Sequence, residues 1–119
     1  MTILLKRAYE EPSEEDGFRI LVDRIWPRGV SKDFAQIDFW AKEVTPTTSL
    51  RKWFSHDSLK WEEFKKKYSE ELENRPDEVD EFLKILQKHK KVTFIYGAKD
   101  TKHTHAIILK DYIQDKLSS

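Results

Sequence analysis

The chain has 119 residues, 22 basic and 22 acidic side chains that cancel, and no cysteine. This length suits one domain with a single core, and the missing cysteines exclude disulfides, thiolate nucleophiles and cysteine-ligated zinc. Balanced charge argues against a non-specific grip on nucleic acid, which needs surplus cations, and no stretch approaches the ~20 apolar residues of a membrane span.

The first residues lack the apolar centre of a signal peptide, so a soluble, cytoplasmic protein is expected, and the absence of cysteine fits a reducing compartment. Aromatics reach 13%, with four Trp. Rings at that density build either a core or a ring-lined pocket.

In chain order, residues 3–5 form a short apolar run ending in Lys6 and Arg7, a first strand. "YEEPSEEDG" is acidic and turn-rich, a solvated loop. Residues 18–25 read as a second strand, broken by "WPRG", where proline restrains its predecessor and glycine permits a tight turn. From Ser31 the period changes. Phe34, Ile37, Phe39, Trp40 and Val44 suit a short helix capped by Ser31, and residues 49–54 give another helical turn.

"SHDS" at 55–58 offers caps for a longer helix, in which Trp61, Phe64, Tyr68 and Leu72 recur at spacings of three and four. Pro76 opens the next helix, whose stripe is Val79, Phe82, Leu83 and Leu86. His89, within a lysine run, reads as solvated. "VTFIYG" at 92–97 is the clearest strand, and its near-lack of alternation implies two covered faces. Ile108, Leu109, Tyr112 and Ile113 mark a last helix. Strands separated by helices point to an α/β domain, in two or three layers, with a short, mainly parallel sheet; the loop joining the first two strands leaves room for an antiparallel pair.

In such sheets ligands bind beyond the carboxyl ends of the strands. The residues just past the proposed strands are Lys6, Arg7 and Tyr9; then Asp23, Arg24 and Arg28; then Tyr96, Lys99 and Asp100. Parallel strands would bring these cations to one edge. There Arg24 and Arg28 would hold a carboxylate or phosphate through paired N–H groups, and Asp23 would orient one of them. The competing reading is a structural ion pair in which Asp23 fixes an arginine against the sheet edge.

"YGAKDTKHTH" runs from a strand through a glycine and a lysine to a helix start, where free N–H groups favour an anion. It is not a Walker loop, and Asp100 or Thr101 would equally serve as a cap. His103 and His105 diverge on a helix, so no shared metal is expected. Either one beside Lys99 has the neutral-range chemistry of a general acid or base. His56 and Asp57 read most simply as a cap pair.

Three stretches together are distinctive: D-G-x-R-x-L-V-D-R-x-W-P-R-G from Asp16, W-F-x-H-D from Trp53, and A-K-D-x-x-H-x-H-A from Ala98. Over nearly the whole chain the sequence resembles the YeaO-like family, a branch of a bacterial domain family of unknown function. Asn is usual between the two histidines, where this chain has Thr104. The resemblance implies a small α/β protein and no particular activity. It also singles out Arg19, Asp23, Arg24, Trp26, Arg28, His56, Lys99, Asp100 and His105 as motif positions.

The expected site thus has His105, His103 and Asp23 for any proton transfer. Arg7, Arg19, Arg24, Trp26, Arg28, His56, Tyr96, Lys99 and Asp100 would bind the ligand. A small anionic molecule is the expected partner, with no cofactor. The alternative is an interaction module for nucleic acid or protein.

Overall fold

The computed structural model describes residues 1–119. Four strands, β1 (Thr2–Arg7), β2 (Phe18–Leu21), β3 (Phe39–Trp40) and β4 (Lys91–Tyr96), form one sheet in the order β1-β4-β2-β3. Every neighbouring pair is parallel, so no antiparallel pair is present. In register, Arg7 lies beside Tyr96 and Leu21 beside Ile95. The helices are α1 (Lys32–Ala35), α2 (Thr48–Phe54), α3 (Trp61–Glu73), α4 (Pro76–Leu86) and α5 (His105–Ser118).

Strand alternation sorts the core into two parts. Val92, Phe94 and Tyr96 of β4 join Ile3, Ile20 and Val22 in the larger cluster, against the stripes of α2 to α5. Leu21 and Ile95 face the other way and pack with Ala8, Val30 and Ala35 beneath the segment after β2. Phe94 and Ile95 are both fully buried on opposite faces, which is why β4 shows no polar alternation. Burying each such side chain contributes about 1.5–3 kcal/mol before entropy is set against it.

Two elements differ from the sequence reading. The helix expected across residues 31–44 stops after one turn. Ser31 caps it by accepting the Phe34 amide at 3.0 Å, and Gln36 ends it in a left-handed conformation at φ +47°. Phe39 and Trp40 then add to β2 as an edge strand. The second strand ends at Leu21 rather than at residue 25, because Asp23 turns its carbonyl to the Trp40 indole at 2.7 Å and its carboxylate to Gly97. His89 is not simply solvated: its ring stacks on Phe18 with centroids 3.8 Å apart.

α4 begins with Pro76 in its first turn, and α5 is capped by Thr104 rather than by Asp100 or Thr101. Asn is a good cap for the same reason as Thr, a short side-chain oxygen that accepts a first-turn amide. Thr104 therefore keeps a capping function that an Asn there would also supply.

Gly17 sets the entry to β2. Its backbone lies at φ +65° and ψ −137°, a region that side chains avoid, and a Cβ would fall 2.4 Å from the Lys91 carbonyl oxygen. Gly17→Ala should cost more than about 2 kcal/mol in urea unfolding, through clash and backbone strain together. At Gly29, φ is +78° but the space around it is open. Gly29→Ala should therefore cost only about 1 kcal/mol. Equal losses at the two positions would contradict the close approach to β4.

Candidate functional site

Because the strands are parallel, the residues that follow β1, β2 and β4 meet at one edge, and the centre of that meeting is Asp23. Its Oδ2 accepts the Gly97 amide at 2.9 Å, which ties the end of β2 to the end of β4. A Cβ on Gly97 would lie 3.0 Å from that oxygen, so the approach suits glycine. His105, the first residue of α5, places Nε2 2.7 Å from the Val22 carbonyl and 3.2 Å from Asp23 Oδ1. Both neighbours are acceptors, so Nε2 carries a hydrogen. That hydrogen goes to Val22, and Asp23 Oδ1 is left buried without a hydrogen bond.

Two guanidinium groups are held at this edge by neutral atoms. Arg7 donates from Nε to the Ala98 carbonyl at 2.8 Å and from Nη2 to the Gly97 carbonyl at 3.2 Å, and its head lies 4.9 Å from the Tyr9 ring centre. Arg24 donates from Nε to the Pro46 carbonyl at 3.0 Å and from Nη2 to the Thr45 carbonyl at 3.4 Å. A guanidinium has five N–H donors, so each keeps donors to spare. Carbonyl oxygens orient a guanidinium without cancelling its charge. Arg28 and Lys99 are exposed and form no ion pair, while the Arg28 carbonyl accepts the Tyr9 hydroxyl at 2.9 Å.

The remaining sequence candidates separate. Arg19 is 3% exposed and away from this edge, bonded to Asp16 at 2.5 Å and to the Ala35 carbonyl at 3.0 Å. Lys6 reaches the same Asp16 at 3.0 Å. Burial alone would raise the Asp16 carboxyl, but hydrogen bonds from Lys6, the Ser13 amide and Arg19 outweigh it and hold it below the usual carboxylate range. This cluster is a structural ion pair the sequence did not point to: the competing reading had Asp23 fixing an arginine, but Asp23 pairs with no arginine and takes the Gly97 amide instead.

Trp26 donates to the Val30 carbonyl at 2.6 Å and packs edge-on to Trp40, bracing the segment after β2. Tyr96 is buried in the core, and burial together with the Glu10 charge raises its phenol. Asp100 accepts the Lys102 and His103 amides and pairs with His103 Nδ1 at 2.8 Å, and these bonds hold its carboxyl low. His103 also meets the Trp61 ring edge-on, with centroids 5.3 Å apart. His56 is exposed, and its ring sits 6.3 Å from that of Phe54. His103 and His105 thus use different carboxylates, and no group of three His, Asp or Glu side chains is placed to hold a metal.

Two neighbours of the site were missed. Arg75 donates to the Thr45 carbonyl at 2.7 Å, the same oxygen that Arg24 uses, and to Glu71 at 3.3 Å. Its only sequence signal is an arginine where a helix cap residue is expected, just before Pro76. Tyr68 reads correctly as a core residue of α3, but its hydroxyl also donates to the Val44 carbonyl and its ring sits edge-on to His105. Complete burial pushes its phenol far above the ordinary value. Clefts of about 440 and 500 Å³ open elsewhere, one between α2 and α3 and the other beside β3 and α4. No helix is long and apolar enough to cross a membrane.

A family model, DUF488-N3i, described as the inactive DUF488-N3 subclade, matches residues 2–119. The chain is 40% identical over 114 residues to the uncharacterised protein YeaO of Escherichia coli K12, covering 96% of this chain and 98% of that one. It is 32% identical over 114 residues to the uncharacterised proteins Mb3100c of Mycobacterium bovis and Rv3073c of Mycobacterium tuberculosis, covering 96% of this chain and 95% of each relative. No solved structure matches.

The Asp16 cluster predicts a pH dependence. A carboxyl depressed in the folded state stabilises it above the unfolded value of about 3.9, and that contribution is lost as pH falls through the folded value. Asp16→Asn should cost about 3 kcal/mol at neutral pH, because Arg19 stays buried without its counter-charge. The deficit against the unaltered protein, measured by urea unfolding, should shrink below about pH 4. A deficit that is constant with pH would contradict the assignment.

Proposed function

The chain belongs to the DUF488-N3i family, and from that membership and the geometry we propose that it binds a small anionic molecule, bearing phosphate or carboxylate, at the C-terminal edge of its sheet. One observation carries this reading: Arg7 and Arg24 are aimed by backbone carbonyls, and neither guanidinium forms an ion pair. Arg19, twelve residues after Arg7 in sequence, shows what a purely structural arginine looks like in this fold, with Asp16 directly against it.

An anion at this edge would take the unused N–H groups of Arg7 and Arg24, with Arg28 and Lys99 adding charge from the surface. Asp23 then acts as the brace that keeps the Gly97–Ala98 carbonyls, and hence Arg7, in place. The family's description as inactive supports binding without turnover. His105 accordingly serves to hold the Val22 carbonyl rather than to transfer a proton. Equal numbers of acidic and basic side chains weigh against a nucleic-acid partner.

Differential scanning fluorimetry against inorganic phosphate, citrate, adenosine monophosphate and glucose 6-phosphate tests the reading. A ligand at about a hundred times its Kd stabilises the fold by about 2.7 kcal/mol, a shift of several degrees. Arg28→Ala should reduce that shift and leave the unliganded Tm unchanged, since its side chain has no partner to lose. Arg24→Gln should abolish the shift and cost about 1–2 kcal/mol by itself, from two lost carbonyl bonds. The proposal fails if none of the four compounds raises the Tm, or if Arg24→Gln keeps the full shift.

A further inference from the structure

We propose that the cleft at the open edge of the sheet docks a basic, amphipathic segment of a partner protein. β3 is the last strand in the order and pairs only with β2, so the sheet ends there. Exposed sheet edges attract other chains unless they are short or covered. This edge is two residues long and opens onto a cleft of about 500 Å³ between it and α4. Phe39 and Ile85, both half-buried, supply its apolar surface, over a floor closed by the buried Val44 and Phe82.

The rim has the opposite character. Glu43, Asp77, Glu78 and Glu81 line it, and Lys42 is the lone cation. Lys42 is itself engaged, with Nζ 3.9 Å from the Trp40 ring centre. The start of α4 accounts for Asp77 and Glu78, because a helix N-terminus attracts carboxylates. It does not account for Glu43 or Glu81. Glu81 meets only Lys84, at 3.6 Å in an exposed pair that contributes little, and Glu43 has no cation within ion-pair distance.

On a chain of zero formal charge, four carboxylates against Lys42 and the exposed Lys84 leave this rim net negative, a local field that disfavours anions and acidic peptides. A segment with apolar side chains on one face and Lys or Arg on the flanks satisfies both parts at once. This surface is independent of the arginines at the C-terminal edge.

Fluorescence anisotropy with the full chain and two labelled peptides tests the proposal. One is an amphipathic leucine–lysine peptide, and the other replaces every lysine by glutamate. The leucine–lysine peptide should bind, and the leucine–glutamate peptide should bind at least about tenfold more weakly. Glu43→Lys with Glu81→Lys alters exposed positions and should weaken leucine–lysine binding by about tenfold or more. Glu62→Lys with Glu63→Lys, on α3, should change it by less than about twofold. Ile85→Asp should weaken it as strongly as the first pair.

The proposal is overturned if neither peptide binds, if both bind equally, or if the two charge-reversal pairs act alike. It is also overturned if sedimentation shows the unliganded chain to be a dimer that Ile85→Asp makes monomeric. The occupant would then be a second copy.

Discussion

The Asp23 carboxylate takes the amide of Gly97, and its backbone carbonyl takes the indole of Trp40, so one residue joins the ends of β2 and β4 to edge strand β3. His105 adds the start of α5 through the Val22 carbonyl. Each bond contributes on the order of 1 kcal/mol, rising to about 1.5–3 where a charged group takes part. Their larger effect is positional. They fix which way the Gly97 and Ala98 carbonyls point, and those carbonyls hold Arg7.

Seen this way, the arginines of the chain divide by what holds them. Arg19 is fully buried against Asp16, and a desolvated cation needs such a partner. Arg7 and Arg24 are half-buried and held by carbonyl dipoles, which is enough to order a guanidinium that still reaches solvent. Arg75 lies between these cases, sharing the Thr45 carbonyl with Arg24 while also meeting Glu71. A fully buried arginine is thus matched by a carboxylate, whereas those at the strand ends are oriented by carbonyls and form no ion pair.

The long periodic segments were legible because their patterns repeat: the stripe of α3, the proline start of α4, and the unbroken β-branched and aromatic run of β4. Residues 31–44 were not, because Gln36 stops α1 with a positive φ that its side chain does not announce, and a two-residue strand is too short to show a period. For the site, strand direction was enough to bring Arg7, Asp23 and Arg24 toward one edge. Nothing local could show that Asp23 would spend its carboxylate on an amide 74 residues away, or that Arg19 would turn inward to Asp16. Those pairings depend on register, which only the assembled sheet defines.

Anion binding at the strand ends depends on the guanidinium groups of Arg7 and Arg24, which no ion pair engages. The most direct measurement is a titration of 15N-labelled protein with inorganic phosphate, followed by NMR at the arginine Nε–H and backbone amide signals. The account predicts saturable shifts at the Arg7 and Arg24 side chains and at the Gly97–Ala98 amides, with Arg19 unmoved. Shifts confined to the surface lysines of α3, or unsaturating drift across all signals, would contradict it.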